Sequence, residues 1–335
     1  HRHGAYVLER CNKELGGNVY ALDWALLKIF ETGRHYDAFC VFDADNLVHL
    51  DFLAVMNTRL MKGQKVLQGY LSAKNPVDTW VSGTFAIAFW TVNHLWHLGK
   101  YNLGLSSCLG GTGMCISADI VREFGWGCDC LTEDMEFSMK CLSHGIRTCW
   151  VHDAIIYDEK PLTFMASWRQ RKRWAQGQFD CSERYIPILM KEGFKRHSIV
   201  VLDGIMQLLQ NYFLLISAFY LVMTYINMFY PCFTVVLYND ALVPRQFWSV
   251  LGTIQYVLPL IVLLQIEVPA KIYLYWLIYP VFMYSWVPVT FLGWIHRHEK
   301  QWVHTIHTRS MQFQAASLTR KKEIDSWYAY ICDKR

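Results

Sequence analysis

Two aspartates one residue apart, Asp43 and Asp45, close a short apolar run, AFCVF at 38–42. Carboxylates this close repel unless a cation neutralises them, and a hard divalent ion bridging to phosphate oxygens is a common solution. Asp-Ala-Asp by itself also fits a solvated turn. Further on, LGGTGMCIS at 109–117 sets three glycines around Thr112. Such a segment lets backbone approach a ligand closely or take positive φ, and a purely structural turn uses the same residues. In LTEDMEF at 131–137, Thr132 is a candidate N-cap, with Glu133 and Asp134 in the first helical turn where the dipole favours negative charge. Residues 167–179, SWRQRKRWAQGQF, are dense in cations and carry two Trp. That mixture suits a surface meeting phosphates, sugars or lipid headgroups, with a nucleic-acid patch as the rival reading. The Arg173 guanidinium fork matches diphosphate oxygens, and Trp174 offers a flat apolar face of the kind sugar rings stack on.

The elements that must position these groups follow from periodicity. The run at 38–42 predicts a strand buried on both faces of an α/β sheet, with the aspartates at its carboxyl end, where open α/β sheets bind ligands. A strand over 3–9 and a helix over 20–30 come before it, so the chain opens β-α-β and predicts a parallel sheet with a crossover helix. Helices are expected over 52–61, 84–98, 131–137 and 167–179, and strands over 65–70 and 147–151. The helix over 84–98 carries His94 and His97, read as packing residues rather than metal ligands.

At 335 residues, net charge +4 and 16% aromatic residues, the chain is neither disordered nor strongly nucleic-acid-like. Its 11 Cys form no CxxC pair, which points to reduced, cytosolic thiols. Residues 1–196 mix charge with apolar side chains as a soluble domain does, whereas 199–294 contain three long apolar runs, at 199–226, 247–266 and 272–295. Each is near the roughly 20 residues a hydrocarbon core requires. Trp248, Trp276, Trp286 and Trp294 lie towards their ends as an interfacial belt would. Two to three membrane helices are expected. Three full spans would set the basic tail opposite the soluble domain, against the positive-inside rule, so the third run, with Pro280 and Pro288, is alternatively re-entrant or interfacial, or Asp203 makes the first run interfacial in part.

Taken in order (DAD at 43–45, GTG at 111–113, TED at 132–134, QRKRW at 170–174, then apolar segments), the chain resembles the membrane-bound, inverting family 2 glycosyltransferases, among them cellulose, chitin, hyaluronan and bacterial poly-N-acetylglucosamine synthases. The resemblance covers about residues 1–180 by motif and extends more loosely to Trp302 and Thr305. It implies an α/β fold of the GT-A type, Rossmann-like, followed by transmembrane α-helices. The organisation expected is a partial catalytic domain at 1–180, an interfacial connection at 181–198, a membrane region at 199–295 and a basic tail at 296–335. It further implies a UDP-sugar donor with Mg2+ or Mn2+, a glycan or lipid acceptor, contact with membrane lipid and no nucleic acid. The location implied is a multi-pass plasma-membrane one with a cytoplasmic catalytic domain.

Carried over by motif, Asp43 and Asp45 hold the ribose and the metal–diphosphate, with Asp45 the metal ligand. Asp134 is the general base, with Glu133 and Thr132 shaping its surroundings. Gln170, Arg173 and Trp174 lie over donor diphosphate and acceptor sugar, and Thr112 with Gly113 lines the acceptor pocket. Two departures accompany the match. A further β-α-β unit that normally comes first is absent, which implies a truncated chain lacking part of the uridine site. The lysine expected before the 20–30 helix is replaced by Gly16-Gly17-Asn18, so either Lys13 takes over its role or donor affinity is weaker. Single-sugar transfer to a lipid and a non-catalytic membrane scaffold are the rival functions.

Overall fold

The computed structural model describes residues 5–11, 18–230 and 245–299. Lys13, Gly16 and Gly17 lie outside them, as do Trp302, Thr305 and the tail beyond residue 299. At the centre is one five-stranded sheet built from β1 (Ala38–Val41), β2 (Leu47–Val48), β3 (Val66–Ala73), β4 (Met114–Ser117) and β5 (Thr148–Asp158), in the order β1-β4-β3-β5-β2. Strand β3 runs parallel to β5, while β4 runs antiparallel to both β1 and β3. Two reversals in succession leave β1, β3 and β5 pointing the same way. Their carboxyl ends and the amino end of β4 therefore share one edge of the sheet, and every motif loop opens there.

This corrects the expected beginning of the chain. Among the described residues, 5–11 form neither strand nor helix, so the expected first strand of a β-α-β unit closing at 38–42 is not seen there, and β1 follows α1 (Asn18–Glu31). Strand β1 is a half-buried edge strand paired antiparallel with β4, whereas the fully buried parallel strand is β3. An apolar run identifies a strand, but edge and centre differ only in long-range pairing.

Helix α1 (Asn18–Glu31) packs Leu22, Leu26 and Phe30 against Phe39 and Ile116 on one face of the sheet, and α2 (Phe52–Met61) packs Phe52 and Met56 on the other. Helix α3 (Trp80–Thr91) starts at a reciprocal Thr79–Ser82 capping box. It continues through a π-helical turn (Val92–His97) into α4 (Leu98–Asn102), so the 84–98 helix is present with a widened turn inside it. His97 stacks on Trp150 at 4.7 Å between ring centroids, and burial pushes its imidazole down to about 4. It is a packed, neutral histidine, as read from the sequence.

After α5 (Ala118–Phe124) and α6 (Glu133–Ser143), one long helix, α7 (Phe164–Lys195), crosses the expected boundary at residue 180 without a break. The first apolar run divides at Leu209 into α8 (Ile199–Leu208) and α9 (Gln210–Phe229). Asp203 is explained by this division. On α8 it forms an ion pair with Lys100 of α4 at 2.7 Å, so α8 docks on the sheet domain. The later runs become α10 (Arg245–Gln265), α11 (Lys271–Tyr284) and α12 (Trp286–Ile295), with a break at Ser285.

Two segments, Gln210–Phe229 and Lys271–Ile295, are long and apolar enough to cross a membrane, by length and composition. Helix α11 lies against α3, where Phe282 packs with Val81 and Phe85. Helix α12 lies against α7 so closely that a Cβ on Gly293 would come within 2.5 Å of the Ala175 Cβ. The Trp276 ring stacks on Tyr256 at 4.5 Å and its indole N–H donates to the Tyr256 carbonyl, joining α11 to α10.

Candidate active site

Four motifs far apart in the chain meet at the shared edge. The turn carrying Asp43 and Asp45 leaves the end of β1, and the Asp43 amide donates to the Thr112 hydroxyl, 69 residues away, at 3.0 Å. That hydroxyl donates in turn to Asn46 Oδ1, so one side chain holds both ends of the aspartate turn. Gly111 takes φ +80°, and a Cβ there would stand 3.3 Å from Asp134 Oδ2. The Asp134 carboxylate therefore rests against bare backbone, and only glycine fits both the angle and the space. Gly113 is committed to the sheet, with its amide donating to the Val41 carbonyl and a Cβ there striking Ile156.

Asp134 is in the first turn of α6, where its Oδ1 accepts from the Met135 amide at 2.8 Å. Thr132 occupies the N-cap position, but its hydroxyl makes no cap bond and is buried without a partner. The expected side-chain cap is absent because Gly177 of α7 presses against Thr132. A Cβ on Gly177 would be 2.6 Å from Thr132 Oγ1. On the same helix Arg173 donates to the Leu131 carbonyl at 3.0 Å, tying α7 to the start of the TED segment.

Burial is the main force raising the carboxyls of Glu133 and Asp134. For Glu133 the Asp134 charge adds to burial, Arg173 opposes both, and Asp43 adds a little more, leaving it near 7. Asp134 is raised by burial against the Met135 amide and Arg173. Asp43, Glu133, Asp134 and Arg173 thus share one electrostatic environment.

Gln170 Oε1 is buried and accepts no hydrogen bond, the condition of a group awaiting a donor from a ligand. Trp174 lies half-buried between Phe85 and Phe89, with centroids at 6.0 and 6.3 Å. One wall of its ring is therefore packing surface rather than open platform.

Several residues at this edge escaped the sequence reading. Lys74, just past β3, donates to the Asp45 carbonyl at 2.7 Å and stands 3.7 Å from Asp45 Oδ2 and 3.0 Å from Glu159 Oε2. Gln68, buried in β3, donates to the carbonyls of Gly69 and Thr112 and accepts from the Gly110 amide, holding the glycine loop in place. Glu136 accepts from the Asp129 and Cys130 amides and fixes the approach to the TED segment. A lone Gln inside the apolar strand at 65–70 is the one such signal the sequence carries. The others depend on what the fold brings opposite.

The resemblance implies a divalent metal. Among the described residues no group of three or more His, Cys, Asp or Glu stands ready to coordinate an ion. The available donors are carboxylate oxygens beside an open-ended turn. That suits Mg2+ or Mn2+, which bind through one or two carboxylates plus substrate phosphates rather than in an all-protein cage. The residues fit a metal that arrives with a diphosphate.

A mixed α/β sheet gathers acidic loops at its carboxyl edge, backed by a basic-aromatic helix and by apolar helices. Residues 38–294 match glycosyl transferase family group 2, and the chain belongs to that family. The sheet is accordingly a GT-A-like glycosyltransferase fold. A curated relative, named "Probable glycosyltransferase YdaM" in Bacillus subtilis (strain 168), is 26% identical over 144 residues, 42% of this chain and 34% of that protein. The chain thus matches about a third of the relative's length. A solved mannosyltransferase, PcManGT from Pyrobaculum calidifontis in complex with GDP-Man and Mn2+, aligns over 87% of this chain and 69% of its own, with a TM-score of 0.44 and 13% identity.

Proposed function

We propose that the chain is the catalytic part of an inverting glycosyltransferase that moves a hexose or N-acetylhexosamine from a UDP-sugar to a glycan hydroxyl at a membrane surface. The observation that carries this reading is the convergence of Asp43, Thr112, Asp134 and Arg173 on one edge of the sheet. Asp134 takes the proton from the acceptor hydroxyl. Its raised affinity for protons, caused by burial, suits a base better than an ordinary carboxylate would be. Arg173 sets positive charge against the burial that raises Asp134, and in this reading its remaining N–H groups bind diphosphate oxygens. Gln170 lends its buried carbonyl to the donor or acceptor. Asp45, steadied by Lys74, is the residue to hold Mg2+ or Mn2+. When bound with the donor, the metal neutralises charge growing on the leaving diphosphate. No protein acid is then needed, and attack by the acceptor oxygen opposite the leaving group inverts the anomeric carbon.

The apolar segments Gln210–Phe229 and Lys271–Ile295 support contact with a membrane; the plasma membrane and a cytoplasmic sheet domain are part of the proposal and rest on the family resemblance. Transfer of a single sugar to a lipid acceptor is the second reading, favoured by the same segments.

The deciding experiment incubates membranes containing the protein with radiolabelled UDP-sugars, with and without Mn2+, and sizes the product. Metal-dependent transfer giving a high-mass product upholds the proposal, while one lipid-soluble product selects the second reading. In the same assay Asp134→Asn is expected to lower transfer at least about 10²-fold, the scale of a lost general base. UDP binding measured by calorimetry is expected to persist. Equal loss of binding and transfer would refute the base role.

A further inference from the structure

Strand β1 carries Cys40 and strand β4 carries Cys115, and the two are direct partners across the antiparallel ladder. Their place in its alternation can be worked out. The Ala118 amide donates to the Asp37 carbonyl at 2.8 Å, so 37 and 118 form a hydrogen-bonded pair. Stepping two residues at a time, 39/116 and 41/114 are of the same kind, which leaves 38/117 and 40/115 as the pairs that exchange no backbone bonds. Side chains are closest at such positions, with Cα atoms roughly 4.5 Å apart. That separation lies inside the window of about 4.4–6.8 Å that a disulfide spans. Both side chains face the α2 side of the sheet, where Cys115 joins the core around Phe52 and Met56 and Cys40 packs against it. Neither thiol is in a disulfide. Because β1 is an edge strand, Cys40 is half-buried and within reach of a small reagent, while Cys115 is 1% exposed.

We propose that Cys40 and Cys115 form a reversible dithiol–disulfide pair, a modification site that staples the strand leading to Asp43 and Asp45 to the strand entered through Gly111, Thr112 and Gly113. The co-reactant is a low-molecular-weight disulfide, RSSR. The Cys40 thiolate attacks one sulfur, forming a mixed disulfide and releasing RS⁻. Cys115 then gives up its proton, attacks the Cys40 sulfur and releases the second RS⁻. Two electrons pass from the two thiols to RSSR, and the two protons end on two RSH. The fold itself directs the second step, since the register sets Cys115 opposite Cys40 and no strand has to move. Among the described residues, a second neighbouring pair of thiols, Cys130 and Cys181, lies on a loop and on α7 and is 1% and 0% exposed, so an external disulfide reaches neither. The bond formed lies three residues before Asp43 and two after Gly113. It fixes the β1–β4 register on which the Asp43–Thr112 hydrogen bond depends. This inference is independent of the reaction proposed above, because its readout is covalent.

The test uses the whole chain in detergent micelles, treated with 2,2′-dithiodipyridine and digested without reduction for mass spectrometry. The expected product is a peptide pair joined through Cys40 and Cys115, lost on treatment with dithiothreitol, with Cys130 and Cys181 still reduced. In Cys40→Ser the expected result is that Cys115 stays a thiol, because nothing exposed relays the exchange to it. A thiopyridyl group persisting on Cys40 with Cys115 reduced would overturn the proposal. So would a cross-link from either residue to another cysteine, or modification of Cys115 in Cys40→Ser at the wild-type rate.

Discussion

Glu133 is where burial and charge can be separated by measurement. Its carboxyl rises from 4.5 to about 7, first through burial and then through Asp134. The folded chain therefore holds a proton that the unfolded chain has lost between those two values. By linkage the stabilisation is complete below about 4.5 and is lost as pH rises through about 7. Glu133→Gln, which cannot titrate, is expected to flatten the fall in Tm between pH 5 and pH 8 measured by differential scanning fluorimetry. An unchanged slope would place the titrating group elsewhere. At this scale much was legible. Asp43, Asp45, Asp134, Arg173 and Gln170 are chemically unusual in their local settings, and that oddity shows in one dimension. Lys74, Gln68 and Glu136 are ordinary residues whose importance comes from the carbonyls and amides opposite them.

Among the elements, α7 does most to assemble the site. Gly177 lets it approach the TED segment to a distance no side chain allows, with Thr132 Oγ1 and its backbone amide at 2.6 and 2.7 Å from where a Cβ would stand. Gly177→Ala is expected to force α6 and α7 apart, costing about 1–3 kcal/mol of stability as overpacking does. It should lower transfer more than the loss of folded protein explains, seen by comparing specific activity with circular dichroism. Docking of α8 rests on a different device. Lys100 and Asp203 have side-chain exposures of 6% and 19%, so removing one charge strands the other. Lys100→Met is expected to cost about 3–5 kcal/mol in urea unfolding, and Lys100→Met with Asp203→Leu to recover most of it. Periodicity alone did find α2, α3, α6 and α7. It could not place β1 at an edge or detect the break at Leu209, because each depends on a partner remote in the chain.

For the whole molecule, two segments are long and apolar enough to cross a membrane, by length and composition. Helix α9 leaves Ile216, Phe219, Val222, Tyr225 and Met228 exposed, spread around the helix over about three and a half turns, an apolar surface of the kind that marks a membrane or interaction site. The protein is expected to stay with the membrane fraction through alkaline carbonate extraction and to be released by detergent. Release by carbonate alone would make these helices a docking surface rather than spans. The sheet domain grips the other apolar helices through packed aromatics and through Arg171, whose guanidinium lies over the Phe282 and Trp286 rings and donates to the Ser285 hydroxyl at 2.7 Å. Helices α11 and α12 are therefore part of the wall behind the QRKRW motif.

By itself the sequence determined which side chains are chemically unusual in their settings, the order in which they come, and which stretches are long and apolar. Those are properties of composition and spacing within a few turns of chain. Only the tertiary structure decided that β4 runs antiparallel between β1 and β3 and so brings Thr112 beneath Asp43. It also decided that Gly111 clears the space Asp134 occupies, and that Trp174 has one wall against Phe85. The reason is physical: a sheet's pairing order is settled by the summed burial of both its faces, and no local window of residues contains that sum.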